Sequence, residues 1–317
     1  MLRKEANRNE IFLFASYSIA NSSMLKRKNV FFAYVVTLPA IIFLLLVVGY
    51  PVFYLFQLAM SEARVEAGSL NLKWVGLENF RILFQDQYFL EALKHTLYIV
   101  VTSIPVSVIL ALVLALCLDK IRRGRGIMQT ALLLPWMIAP ALGAAMWRWL
   151  YNDQFGLIDY VLRLIGVIKQ PILWLSDPNV AINSIVICDV WQYTPFCTII
   201  LFAGLQNIPT DLYDAAGIDG ANALQVFWYV TLRLLKTQIL FVLLIRTVFT
   251  LRIFDYVYTL TRGGPGRSTE VLATYLYTTA FSFAKFDYSA TIAVILLLIT
   301  SVVALGYVML FRGVTEG

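Results

Sequence analysis

The chain reads as all-α: a polytopic membrane helix bundle of six transmembrane helices, with a polar helix-turn-helix on one side of the bilayer. Three observations predict this. Of 317 residues, 60% are hydrophobic, and the mean hydropathy is +0.76. Soluble domains hold about 45–50% apolar residues, and a globular core could not bury the excess. The apolar residues fall into six runs, each near the roughly 20 residues of helix that cross a bilayer core. Finally, residues 213–221 (Tyr-Asp-Ala-Ala-Gly-Ile-Asp-Gly-Ala) form a compact polar block between the fourth and fifth runs.

The spans are placed at 30–56, 96–118, 127–147, 180–208, 239–257 and 288–311. A tail at 1–29 precedes them and one at 313–317 follows; the membrane domain covers 30–312, with its polar loop at 209–237. The apolar stretch at 11–20 is too short for a span and precedes the Lys26-Arg27-Lys28 cluster, so it does not read as a signal peptide. Pro39, Pro51, Pro105, Pro135, Pro140 and Pro195 predict kinks or breaks, which survive in lipid where neighbours or a wet cavity satisfy the freed carbonyls. Trp74, Trp136, Trp147, Trp149 and Trp174 fall near span ends, where indole rings anchor at the interface.

Charge sets the orientation. The short turn holding Lys120, Arg122, Arg123 and Arg125 is the densest basic loop, and such loops stay cytoplasmic. Six spans then put both termini and the 209–237 loop in the cytoplasm. The net charge of +6 is spent on membrane flanks, which removes the case for nucleic acid as a partner. Cys117, Cys188 and Cys197 lie in apolar segments without paired spacing, and His95 is the single histidine, so no metal site is expected.

In the polar block, residues 213–216 suit a helical turn with Asp214 near its positive end. Gly220 allows a turn with positive φ. An amphipathic stretch over 224–235 would put Val226, Val230 and Leu234 on one packing stripe, leaving Asp214 and Asp219 to a partner.

Ionisable groups inside spans are expensive and usually face the bundle interior. On the fourth span Asp189, Gln192, Tyr193 and Phe196 share one helical face; on the fifth, Arg246, Phe249, Thr250 and Ile253 do. Two readings stand: these residues line a substrate path, or Asp189 and Arg246 are an interhelical pair that holds the bundle. Arg252 and Asp255, three apart, are expected to pair locally. Gly263, Gly264 and Pro265 lie in an external loop that its glycines make flexible, either a contact point or a simple turn.

The block Asp-Ala-Ala-Gly-Ile-Asp-Gly-Ala (214–221) resembles the cytoplasmic EAA loop of permease subunits in binding-protein-dependent ABC importers. Further segments resemble the carbohydrate-uptake subgroup in the same order: Trp74-Val-Gly-Leu-Glu-Asn-Phe80, Leu134-Pro-Trp136, Trp147-Arg-Trp149 with Gly156, and Trp191, Pro195 and Phe196. Ala203-Gly-Leu-Gln206 with Ile208-Pro209, then Leu260-Thr-Arg-Gly-Gly-Pro265 with Thr269 and Leu272, complete the set over roughly 30–312. Each motif is weak alone, but the ordered set is specific, and it is most similar to the larger, maltose-F-like member of a permease pair. Two departures stand out. Asp214 replaces the usual Glu, one methylene shorter, and Arg233 and Thr237 stand where prolines are common.

The resemblance implies a non-catalytic subunit in a prokaryotic cytoplasmic membrane. A second permease, two ATPases, an external solute-binding protein and membrane lipid would be its partners, and a sugar, polyol or sugar phosphate its cargo. It makes Asp214, Ala215, Ala216, Gly217, Asp219, Gly220 and Ala221 the ATPase-coupling residues, and Gly263, Gly264 and Pro265 the candidate binding-protein contact. The chain has no phosphate-binding Gly-x-x-x-x-Gly-Lys-Ser/Thr loop, so ATP and magnesium would sit on the partner ATPases. The alternatives are a polytopic membrane enzyme, for which Asp153 and Asp159 lack a metal-like surround, or a stand-alone secondary transporter, which needs no shaped loop.

Overall fold

A computed structural model describes residues 34–66 and 69–315; the expected tail at 1–29, the start of the first span and residues 316–317 lie outside them. Helix α1 (Tyr34–Ala59) is 26 residues long with a π-helical turn at Leu45–Gly49. The chain forms two compact units that part within it, one ending at Gln57 and the other beginning at Leu58.

The chain is mostly helical as expected, and the second unit opens with a small addition to that fold. Strands β1 (Ser61–Glu66) and β2 (Ser69–Trp74) form an antiparallel hairpin, Ser61 opposite Trp74. Its base is tied to α2 (Glu78–Gln85), where the buried Asn79 amide donates to the carbonyls of Ala59 and Ser61 at 3.0 and 2.9 Å.

Helix α3 (Gln87–Lys120) starts where Asp86 caps it, Oδ1 accepting from Tyr88 N at 2.9 Å. This satisfies one of the free amides of a helix start. Ser103, Ser107, Ala111 and Ala115 recur every fourth residue and are buried. Small side chains let two backbones approach closely in a membrane bundle, and α3 packs along much of α7 (Pro178–Gln206). Asp177 caps α7 through Asn179 N at 2.9 Å, with Pro178 in the first turn. Ala111, Ala115, Cys197, Leu201, Phe202 and Leu205 share one buried cluster between them.

The third expected span is not one helix. α4 (Arg125–Met137) and α5 (Pro140–Leu150) meet at 91°. Ile138 and Ala139 are extended, because the residue before a proline avoids the helical region and Pro140 begins the next helix. α6 (Leu157–Leu164) follows.

The polar loop holds α8 (Thr210–Ile218) and α9 (Ala223–Leu234). α9 bends 65° into α10 (Lys236–Leu251), which stops short of the expected span end at 257. The chain then resumes as α11 (Asp255–Leu260) and α12 (Leu272–Tyr277), and closes with α13 (Phe286–Thr315). Among the described residues four helices, α1, α3, α7 and α13, are each long and apolar enough to cross a membrane; the two bent pairs bring the total to six if each makes one span.

α7 and the start of α10 touch at Gly204. A Cβ there would lie 2.7 Å from Leu235 Cδ2 and 2.8 Å from Gln238 Cγ, so only glycine admits this approach. The expected stripe on α9 is also corrected. Leu234 is exposed, while Thr231 and Leu235 are buried, because a π-helical turn at Val226–Thr231 shifts the facing positions by one residue.

Candidate functional site

Two places concentrate the residues singled out above. The first is a polar cluster buried where α3, α7 and α10 pack. Arg246 is 0% exposed and Asp189 1%, and Arg246 Nη2 lies 2.5 Å from Asp189 Oδ2. The same nitrogen faces Ser107 Oγ at 3.3 Å and Ser103 Oγ at 3.4 Å on α3. The Arg246 guanidinium sits 4.7 Å over the Tyr193 ring, and Tyr193 stacks on Phe249 at 6.0 Å. The pair is thus clamped by hydroxyls on one side and an aromatic face on the other.

The cluster is under-satisfied. Asp189 Oδ1, Arg246 Nε and Nη1, and Thr250 Oγ1 are buried without a hydrogen-bond partner among the described residues. Buried polar atoms are normally paired, so unpaired ones mark a place where further polar groups, water or ligand hydroxyls, can be accommodated. Beside them lies a cavity of about 130 Å³ lined by Pro140, Asp189, Tyr193, Phe249, Arg252, Ile253, Phe254, Asp255 and Tyr256.

Four of the eight residues expected on the path, Asp189, Tyr193, Phe249 and Ile253, line this cavity. Arg246 and Thr250 sit behind it in the buried cluster. Gln192 is held from both ends: its Nε2 donates to Ile138 O at 2.7 Å, and Tyr256 Oη donates to its Oε1. The break between α4 and α5 therefore presents the carbonyl that positions Gln192. A Cβ on Gly143 would lie 2.9 Å from Gln192 Oε1 and 3.3 Å from Tyr256 Oη. Phe196 turns away and stacks on Trp136 at 5.0 Å.

Arg252 and Asp255 do not form the expected ion pair. The helix ends at Leu251, so the two residues flank a non-helical break rather than share a turn, and both face the cavity. Sequence reasoning missed Ser103, Ser107, Tyr256 and the Ile138 carbonyl. The two serines had a signal, a polar i, i+4 pair on an uncharged span.

The second place is the polar loop. Asp214, Ala215 and Gly217 on α8 are exposed, as are Asp219 and Gly220 after it; Ala216 and Ala221 are half-buried. Ile218 is 88% exposed, an unusual apolar projection at a helix end. Gly220 turns the chain at φ +75°. Asn222 and Gln225 then close a reciprocal capping box on α9 at 3.0 and 2.8 Å. Tyr213 Oη approaches Thr231 Oγ1 at 3.4 Å, tying α8 to α9. The carboxylate and Ile218 are thus displayed on a short helix that Tyr213 ties to α9.

The Gly263-Gly264-Pro265 segment is tied down rather than flexible. Thr269 Oγ1 donates to Gly264 O at 2.8 Å, Thr269 N donates to Gly263 O at 3.2 Å, and Thr261 and Thr269 hydroxyls meet at 2.7 Å. Gly264 and Pro265 border a cavity of about 400 Å³ that also holds Arg148, Asn152, Asp153 and Trp174. Asp159 is structural: buried, it accepts from Trp174 Nε1 at 2.8 Å and Ile172 N at 3.0 Å. Among the described residues no group of three or more His, Cys, Asp or Glu could hold a metal ion.

Comparison with known proteins bears on both places. The family model described as "Binding-protein-dependent transport system inner membrane component" matches residues 88–316. The trehalose/maltose transport system permease protein MalF of Thermococcus litoralis is 36% identical over 80% of this chain and 84% of its own length. The sulfoquinovosyl glycerol transport system permease protein SmoG of Agrobacterium fabrum is 32% identical, covering 86% and 88%. A chain from the crystal structure of a bacterial ABC transporter that imports the acidic polysaccharide alginate shares the fold with a TM-score of 0.77 at 24% identity, covering 91% of this chain and 97% of that one.

Proposed function

Since the chain belongs to the binding-protein-dependent transport system inner membrane components, we propose that it is the permease subunit of an ATP-driven importer of a sugar or a sugar-like solute. With a second permease it forms the translocation path, an external solute-binding protein delivers the cargo, and two separate ATPases drive the cycle by gripping the loop around Asp214 and Gly220. The chain itself catalyses nothing.

The observation that carries this reading is the displayed helix α8. It follows α7 after three residues and precedes α9, which bends into α10, so a force on α8 reaches both helices that hold the Asp189–Arg246 cluster. An exposed carboxylate beside an exposed isoleucine suits a partner groove with an apolar floor and a basic rim. The cargo class rests on the relatives, whose names give trehalose/maltose, sulfoquinovosyl glycerol and, for UgpA of Agrobacterium fabrum, sn-glycerol-3-phosphate. All are polyhydroxylated. A pyranose offers hydroxyls to groups such as Asp189 and an apolar face to rings such as Tyr193 and Phe249.

The test is co-purification from a mild detergent with the products of neighbouring genes. An ATPase and a second permease should come with the wild-type chain, and the ATPase should be lost with Asp214→Lys. Recovery of the chain alone under every condition would overturn the reading.

A further inference from the structure

A second cavity, about 570 Å³, lies apart from the cluster on α7 and α10 and shares no lining residue with the cavity beside it. Its wall is made by Gln85 and Asp86 at the end of α2, Tyr88 on α3, Arg267, Tyr275 and Thr279 around α12, and Lys285 and Tyr288 at the start of α13. Ile82 and Phe283 complete it, both apolar and exposed. Two long apolar helices, α3 and α13, begin at this cavity. In a membrane protein that level is the headgroup layer, where spans end and polar groups meet lipid.

The polar groups of the wall divide into committed and uncommitted. Asp86 is committed: it caps α3, and its Oδ2 accepts from Tyr275 Oη and from Tyr288 Oη. Burial pushes its carboxyl up, but the tyrosine hydroxyls and the α3 amides outweigh this and hold it below the usual carboxylate range. The carboxylate is ionised and its oxygens are occupied. Arg267 gives Nε to Glu270 Oε2 at 2.5 Å, and its guanidinium lies 4.0 Å from the Tyr88 ring centre and 5.2 Å from that of Tyr275. The stacking fixes the plane of the fork while leaving its outer nitrogens without a partner among the described residues.

The uncommitted groups, apart from the exposed Gln85 amide and Tyr88 hydroxyl, are donors. They are the outer guanidinium nitrogens of Arg267, the Lys285 ammonium on an exposed residue, and the Thr279 hydroxyl, buried and without a partner among the described residues. Arg267 is also held at φ +70° and Ala284, beside Lys285, at φ +53°. Non-glycine residues adopt such angles only where the surroundings impose them, and both lie at or beside a cationic residue that lines the cavity.

We infer that this cavity binds the phosphate of a phospholipid headgroup, with Arg267, Lys285 and Thr279 as donors and Ile82 and Phe283 as the apolar lip over which the acyl chains leave. A fixed guanidinium fork and a point-charge ammonium are the pair of donors that phosphate oxygens match. The apolar lip is what separates a lipid site from one for free phosphate. The site concerns the membrane environment and stands whether or not the cargo is a sugar.

The test uses the full chain in the complex in which it purifies, stripped of lipid in detergent and titrated with dioleoylphosphatidylglycerol under native mass spectrometry. Dioleoylglycerol, which lacks the phosphate, and inorganic phosphate serve as competitors. Binding that neither competitor displaces, and that Lys285→Ala and Arg267→Ala each weaken about tenfold, or 1.4 kcal/mol, is the expected result. Lys285 is exposed, so its variant reads the site even if Arg267→Ala unfolds the loop. Equal binding by wild type and the Lys285 variant, or displacement by dioleoylglycerol, would overturn the site. Displacement by inorganic phosphate at the same concentration would show a free oxyanion site and overturn the lipid assignment.

Discussion

Removing the Asp189 carboxylate should destabilise the protein far more than removing the whole ion pair. Asp189→Ala leaves the Arg246 guanidinium, 0% exposed, with the Ser103 and Ser107 hydroxyls at 3.4 and 3.3 Å and the Tyr193 ring face but no counter-charge. Breaking a buried pair from one side costs about 3–5 kcal/mol, because a charge stays behind without compensation. Replacing both partners by apolar residues of similar volume is often neutral or stabilising, so Asp189→Leu with Arg246→Met should unfold no more easily than the wild type. The assay is denaturant unfolding of the purified chain in lipid–detergent micelles, run as a double-mutant cycle. In parallel, uptake into proteoliposomes carrying the whole transporter separates the two readings of the pair. A structural pair predicts that the double variant regains both stability and uptake. A path-lining pair predicts stability without uptake. A single variant within about 1 kcal/mol of wild type would refute the premise, since surface-like pairs contribute about that little.

Three smaller perturbations probe other joints. Gly204→Ala would drive a Cβ to 2.7 Å from Leu235 Cδ2 and should cost about 1–3 kcal/mol, as overpacking does; an unchanged unfolding midpoint would show that α7 and α10 can part freely. Gly220→Ala meets no neighbouring atom but must hold φ +75°, which costs about 1–2 kcal/mol; hydrogen exchange should rise in Thr210–Ile218 while the core stays protected, and Gly220→Asn should cost less. Asp86 is ionised below its ordinary range when folded, so its contribution is present above the unfolded pKa and is lost as pH falls through the folded one. The melting temperature should therefore decline on acidification below about pH 4, and Asp86→Asn should flatten that decline while lowering stability at neutral pH.

The parts of the fold that were legible in the sequence are those that one-dimensional chemistry determines. Apolar length marked α3, α7 and α13, while the capping residues Asp86 and Asp177 lie before the expected spans at 96–118 and 180–208. What was not legible depends on the third dimension. Pro140 announced a disturbance, but the 91° turn follows from the extended Ile138 and Ala139, and its consequence, a carbonyl offered to Gln192, needs α5 against α7. The helix end at Leu251 carries no proline or glycine signal, so Arg252 and Asp255 looked like neighbours on one turn. The hairpin at Ser61–Trp74 carried a period-two signal, Leu70-Asn-Leu-Lys-Trp74, which is shorter and weaker than the apolar runs on either side of it.

The site divides in the same way. Asp189 and Arg246 announced themselves because a charge in a span is expensive, and a helical wheel put Tyr193 and Phe249 beside them. The same wheel failed for Leu234, since one π-helical turn at Val226–Thr231 rotates everything after it. It also failed for Phe196, whose neighbour Trp136 lies on a segment that bends away two residues later. Ser103 and Ser107 are the instructive omission. Small polar residues on an apolar helix read as packing aids, and they are that on α3, but their spacing also brings two hydroxyls to one guanidinium. A charge in a membrane span therefore predicts more than a counter-charge. It predicts a second, weaker polar residue pair on whichever neighbouring helix is small enough to come close, and here that is the helix with the fourfold repeat of serine and alanine.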